Sequence, residues 1–172
     1  MIGEAYYPEY EKIATTTTTT TNMGNGMTST RTHTSYTYHF IGYRYTHAVI
    51  AVFDKNGEML WDNCFEIGDV LTYNLREKVK VMNDGDNIVL AYSEGGYIKY
   101  KIIKDNEVVQ GKDEVKIETL KEDDNVKRNS NSDLDFWYDN YFLVWGFQKI
   151  KNDNKESKGK RTVFYFNKIG LQ

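Results

Sequence analysis

Cysteine and proline are nearly absent from this chain, with one of each in 172 residues. A single Cys64 excludes an internal disulfide and says little about redox compartment. Its place in the apolar stretch Cys64-Phe65-Glu66-Ile67 predicts a buried, inert thiol. No apolar run reaches the roughly 18 residues that a membrane-spanning helix needs, so no membrane span is expected. The N-terminal stretch lacks the charged and apolar regions of an export leader. If the chain is part of a longer protein, a leader would lie upstream, and the compartment stays open. A formal net charge of −3 gives no basic face for nucleic acid. The cationic stretches at Lys149-Ile150-Lys151 and from Lys155 to Arg161 read as solvated loop charge. No segment sustains a period of 3.6, so helices are not expected. A Ser-His-Asp pattern, a phosphate-binding loop and a dinucleotide fingerprint are also missing, and no cofactor is implied.

Aromatic residues are abundant, with 14 Tyr, 8 Phe and 3 Trp. Such side chains pack well on pleated surfaces and favour strands. Val79 and Val81 alternate with Lys78 and Lys80, which predicts a half-buried strand over Leu75 to Met82. Ile88 to Ser93 is nearly continuous in apolar residues, the pattern of a central strand buried on both faces. Turns are expected at Asn56-Gly57, at Asn83-Asp84-Gly85-Asp86, at Glu94-Gly95-Gly96 and at Asp105-Asn106. Asn56-Gly57 between apolar strands is the strongest of these, and it predicts a type I′ turn. Thr15 to Thr21 is an uninterrupted threonine run. Residues 12–35 are read as a long low-complexity loop, partly disordered, with an extended hairpin of β-branched residues as the alternative. Lys121 to Asp133 reads as a polar connection, and Lys151 to Lys160 as a charged hairpin loop.

A unit recurs. Asp86-Asn87-Ile88-Val89-Leu90-Ala91-Tyr92 returns as Asp139-Asn140-Tyr141-Phe142-Leu143-Val144-Trp145, an offset of 139 − 86 = 53 residues. An apolar strand ending in a polar turn appears at Ala51 to Trp61, at Ile102 to Val109 and at Val163 to Leu171. Laid side by side, the copies give units over about residues 2–67, 75–120 and 134–171. Each is a meander of up to four strands, the first starting at its second strand and the third stopping after its third. Repeated four-stranded antiparallel units are the blades of a β-propeller. The expected fold is therefore all-β, a single domain of about two and a half blades. A β-sandwich or barrel is the alternative. Incomplete first and third copies imply self-association, or a parent chain that completes the sheet.

Ala51-x-x-Asp54-x-x-Gly57-x-x-x-Trp61 resembles the docking motif of quinoprotein-type propeller repeats, in one copy, with Val109 at the Trp position of the next. The resemblance implies that Asp54 and Gly57 shape the hairpin and that Trp61 packs between neighbouring blades. The whole chain resembles the C-terminal region of uncharacterised exported proteins of Bacteroidetes-type bacteria. Gly3-Glu4-Ala5-Tyr6-Tyr7-Pro8-Glu9-Tyr10, Phe40-Ile41-Gly42-Tyr43 and Trp137-Tyr138-Asp139-Asn140-Tyr141-Phe142 carry that likeness. It implies a cell-envelope or periplasmic location.

No residues form an evident catalytic constellation. His33, His39 and His47 have spacings that match no compact metal-binding motif, so no metal is assigned. Glu4 and Glu9 flank Tyr6-Tyr7-Pro8 and could act as a glycosidase pair only at a fixed separation. Asp84-Gly85-Asp86 and Asp123-Asp124-Asn125 could offer oxygen ligands to calcium, but turn chemistry explains both. Tyrosines concentrate near the N-terminus, and Tyr6, Tyr7, Tyr43 and Tyr45 are the candidate ligand-binding residues for protein or carbohydrate. The functional expectation is a non-catalytic binding or scaffold module. Two alternatives are part of a carbohydrate-active enzyme, and a structural subunit that completes its sheet with a partner.

Overall fold

The computed structural model describes the chain apart from residues 69, 120, 122, 140, 153–158 and 171–172. Leu120, Asn140, Leu171 and most of the connection expected over 151–160 lie outside the described residues. Among those described there are eleven strands and no helix. The strands are β1 (Ile2–Gly24), β2 (Met27–Phe53), β3 (Met59–Glu66), β4 (Leu71–Thr72), β5 (Lys80–Asp84) and β6 (Asn87–Glu94). They continue with β7 (Tyr97–Lys104), β8 (Glu107–Lys116), β9 (Asn125–Phe136), β10 (Tyr141–Asn152) and β11 (Gly159–Gly170). They form three antiparallel sheets, ordered β1-β2-β3 with β4 on β2, β5-β6-β7-β8, and β11-β10-β9. None closes into a barrel. The chain divides into two compact units.

The larger unit comprises residues 1–5, 45–70 and 76–172. Its middle sheet is β5 to β8, and the continuous apolar run in β6 explains why. Val89 and Ala91 face the β9–β11 sheet, in one cluster with Met82, Ile98, Tyr100, Leu134, Phe142 and Val144. On the opposite face Tyr92 stacks at a tilt on Phe65 of β3, with ring centroids 5.4 Å apart, and accepts the Gly68 N–H at 3.0 Å. Burial on both faces follows, and Leu90, Ala91 and Tyr92 are all buried. Glu4 ties the start of the chain to this unit by accepting the backbone N–H groups of Lys78 and Val79.

Both Asp-Asn phrases lead into central strands, β6 and β10. The positions they align, Val89 with Phe142 and Ala91 with Val144, lie in the same core cluster. Along β10 the buried positions are Phe142, Val144, Gly146, Gln148, Ile150 and Asn152, a strict alternation. Tyr165 crosses Gly146, its register partner, so closely that a Cβ there would lie 2.8 Å from the tyrosine oxygen. Gly146→Ala should therefore displace Tyr165 and lower stability by about 1–3 kcal/mol, the usual range for overpacking. A thermal melt coincident with the parent would contradict this packing.

The smaller unit comprises residues 6–44 and 71–75. It is a two-stranded ribbon of β1 and β2, not the loop expected over 12–35. Two features of the sequence explain the correction. β-branched threonine favours extended backbone, and Asn25-Gly26 supplies a two-residue turn with φ of 52° and 76°. Thr16, Thr18 and Thr20 bond across to Thr34, Thr32 and Thr30 at 3.2–3.4 Å, so the register runs unbroken. At the other end Phe40 makes edge contacts with Tyr10, Tyr43 and Tyr73. Gly42, at φ 141°, lets β4 approach, since a Cβ there would sit 2.9 Å from the Thr72 carbonyl.

Several local expectations change. Asn56-Gly57 is not a type I′ turn. Only Gly57 has positive φ (87°), and Asp54 heads a type I turn closed by the glycine. The Asp54 carboxylate accepts the N–H groups of Asn56 and Glu58 at 2.8 and 2.9 Å. The Glu58 N–H is the main reason its pKa lies below the ordinary value. Cys64 is exposed, because the β3 register turns Trp61, Asn63 and Phe65 inward and Cys64 out. Trp61 is half-buried rather than enclosed, since it lies on β3, an edge strand, while Phe65 takes the fully buried place. Residues 125–133, expected as connection, belong to β9. It is an edge strand, where polar side chains are tolerated, and among its described residues only Leu134 enters the core. The strand expected over Leu75 to Met82 begins only at Lys80.

Candidate functional site: a polar cleft on the inner face of the β9–β11 sheet

The inner face of β10 changes character along its length. Phe142 and Val144 belong to the apolar core, whereas Gln148 and Asn152 occupy the same inward parity farther on and are buried. β11 runs antiparallel beside it and sets Arg161 opposite Ile150. Asp124, just before β9, meets them, its side chain only 3% exposed. Its Oδ1 accepts from Asn152 Nδ2 at 2.8 Å. Arg161 Nη2 donates to both carboxylate oxygens, at 3.0 and 3.1 Å. A charge so deeply placed needs such partners.

Asp124, Arg161 and Gln148 border two adjoining clefts. One, of about 990 Å³, is lined by Val115, Lys116, Glu118, Asp124, Ile150, Arg161, Val163 and Tyr165 among others. The second, of about 800 Å³, lies against Gly95, Gly96, Ile117, Asp123, Asn125 and Asn129. Gln148 lines both. Tyr165 is held neutral, its pKa raised chiefly by burial, and its hydroxyl lies 3.0 Å from that of Ser132.

Two amides here are incompletely satisfied. Gln148 is 2% exposed, and its side chain makes no hydrogen bond among the described residues. Its cross-strand partner in the register is Asn129. Asn129 Nδ2 donates to the Gly95 carbonyl at 3.0 Å, but its buried Oδ1 has no partner among the described residues. Gly96 makes room for that side chain, because a Cβ there would lie 2.5 Å from Asn129 Nδ2. Buried polar groups are satisfied in the great majority of cases. Asn129 Oδ1 is such an exception among the described residues, and Gln148 beside it on the cleft wall makes no hydrogen bond to them.

The residues singled out from sequence lie elsewhere. Tyr6 and Tyr43 come together in the smaller unit, edge to face at 5.7 Å, as part of the ribbon's own aromatic packing. Tyr7 is exposed. Tyr45 is buried in the larger unit, where its hydroxyl donates to the Arg76 carbonyl at 2.7 Å and accepts the Arg76 N–H at 3.1 Å. Tyr45 thus serves the packing of the larger unit, whereas Tyr6, Tyr7 and Tyr43 belong to the smaller one. Glu9 pairs with Arg44, and Glu4 serves backbone N–H groups, so both carboxylates are explained by the fold. His33, His39 and His47 are exposed, and among the described residues no group of three His, Cys, Asp or Glu side chains could hold a metal ion. The sequence reading missed Gln148 and Asn129, took Arg161 as solvated charge, and weighed Asp124 only as a calcium ligand or turn residue. The available sign was polar residues at the inward parity of β10.

The fold and site define an all-β protein of face-packed antiparallel sheets with a polar cleft. No protein-family model, curated protein or solved structure matches the chain.

Proposed function

We propose that the chain is a binding or scaffold module whose cleft at Gln148 and Asn129 takes a neutral, hydroxyl-rich ligand, carbohydrate being the natural class. The amide pair carries this reading. Asn129 Oδ1 calls for a donor, whereas the Gln148 amide offers both donors and an acceptor. A hydroxyl serves both roles, while an anion would leave Asn129 Oδ1 unpaired and a cation would leave the Gln148 NH₂ unpaired. Asp124 is already engaged by Arg161 and Asn152, which favours recognition over acid–base work at that carboxylate. The likeness to exported proteins supports a role at the cell envelope.

For the arrangement of sheets, the sandwich is the reading we favour over propeller blades. Blades around one axis turn the same face in the same rotational sense, so repeat-equivalent residues would not share one interface. Val89 and Ala91 do share theirs with Phe142 and Val144. The scaffold component is supported by β1 and β11, each the outermost strand of its sheet.

Calorimetric titration with a panel of neutral oligosaccharides tests the ligand. At least one should bind, and Gln148→Leu, close in size, should weaken it about tenfold, the equivalent of one well-placed hydrogen bond. A panel without binders, or a Gln148→Leu variant that binds as the parent does, would overturn the proposal.

A further inference from the structure

The ribbon in the smaller unit presents a second interaction surface, independent of the cleft. Two-stranded ribbons are marginally stable alone and gain from a third strand. Natural edge strands are protected by lysine, proline, bulges or short length. Here β1 has β2 as its only strand partner among the described residues, which leaves its far edge open. From Ile13 to Thr30 there is no Asp, Glu, Lys, Arg or Pro. The one proline, Pro8, and the charged pair Glu11 and Lys12 guard only the base of the ribbon. Residues 11–39 are exposed throughout, including Met23 and Met27 beside the turn. An unguarded edge of this length is a pairing surface.

We infer that the outer edge of β1, at Thr15 to Thr21, pairs antiparallel with the same edge of a second copy, joining two ribbons into a four-stranded sheet. The occupant follows from self-complementarity. A run of threonines opposes threonine to threonine when it meets its own two-fold mate, the isologous arrangement of a symmetric dimer. Threonine pairs of that kind already hold the ribbon together at Thr16, Thr18 and Thr20. The β1 edge is preferred to that of β2, which carries Arg31 and His33 where β1 is uncharged. Two uncharged edges meet without repulsion.

Light scattering coupled to size exclusion of the full chain is the test. The parent should elute at about twice its 20.1 kDa mass at micromolar concentration. In a pairing centred on Thr18, Thr17 faces the partner's Thr19. The double variants Thr17→Lys with Thr19→Lys, and Thr17→Glu with Thr19→Glu, should each be monomeric, because like charges oppose across the two-fold. Mixed in equal amounts they should recover the dimer mass, which separates loss of the interface from loss of the fold. A monomeric parent at millimolar concentration, a dimer unaffected by either variant, folded monomers that do not pair on mixing, or open-ended aggregates in place of a dimer would each overturn the inference.

Discussion

Phe142→Ala should lower the free energy of unfolding by about 3–5 kcal/mol, the usual cost of emptying a fully buried aromatic site. Phe142 is 0% exposed and sits among Val89, Ala91, Leu134 and Val144, where the middle sheet meets the β9–β11 sheet. Both sheets are held in strand order, so the surrounding side chains can collapse into the void only partly. That places the loss in the upper half of the range for core truncation. Phe142→Leu, which keeps most of the volume, should recover more than half of it. Denaturant unfolding followed by tryptophan fluorescence is the measurement. A loss below about 1 kcal/mol would mean that the two sheets do not share a core, since single residues outside a core rarely cost more.

Arg161→Ala is expected to cost about 3 kcal/mol, the lower end for breaking a buried pair. Asp124 is almost wholly enclosed, whereas the Arg161 side chain is 36% exposed, and that exposure discounts the loss. Asn152 continues to donate at 2.8 Å, but one amide does not balance a carboxylate. The double variant Arg161→Ala with Asp124→Asn should be more stable than Arg161→Ala alone, because the unpaired charge is gone. Additive losses from the two positions in a denaturant-based cycle would show that they do not interact.

The sheets were legible in the sequence wherever patterning had one meaning. The continuous run of β6 and the glycine turn at Gly95-Gly96 each admit a single reading, and the structure has a strand and a turn there. Threonine was ambiguous, because its polarity suggests solvent while its branched Cβ favours extension. The Asn25-Gly26 turn decided for the ribbon and could have been weighed from sequence. At Asn56-Gly57 the same dipeptide misled. Asp54 two residues earlier captures the Asn56 and Glu58 N–H groups and selects a type I turn instead. The cleft was not legible from motifs, because its residues come from β8, β9, β10, β11 and nearby turns and connections, and meet only in the fold. Its one linear trace, Gln148 and Asn152 continuing the inward positions of Phe142 and Val144, requires β10 to be known in full.

The proposed binding position is the cleft wall at the side chains of Gln148 and Asn129, where Asn129 Oδ1 has no partner among the described residues. Side-chain amide resonances of the ¹⁵N-labelled chain, followed as a neutral oligosaccharide is added, test it. The Gln148 and Asn129 NH₂ signals should shift together along one saturating curve, with the tyrosine ring signals of Tyr6 and Tyr43 unmoved. Shifts at those rings with both amides still would place binding on the ribbon and overturn the proposal.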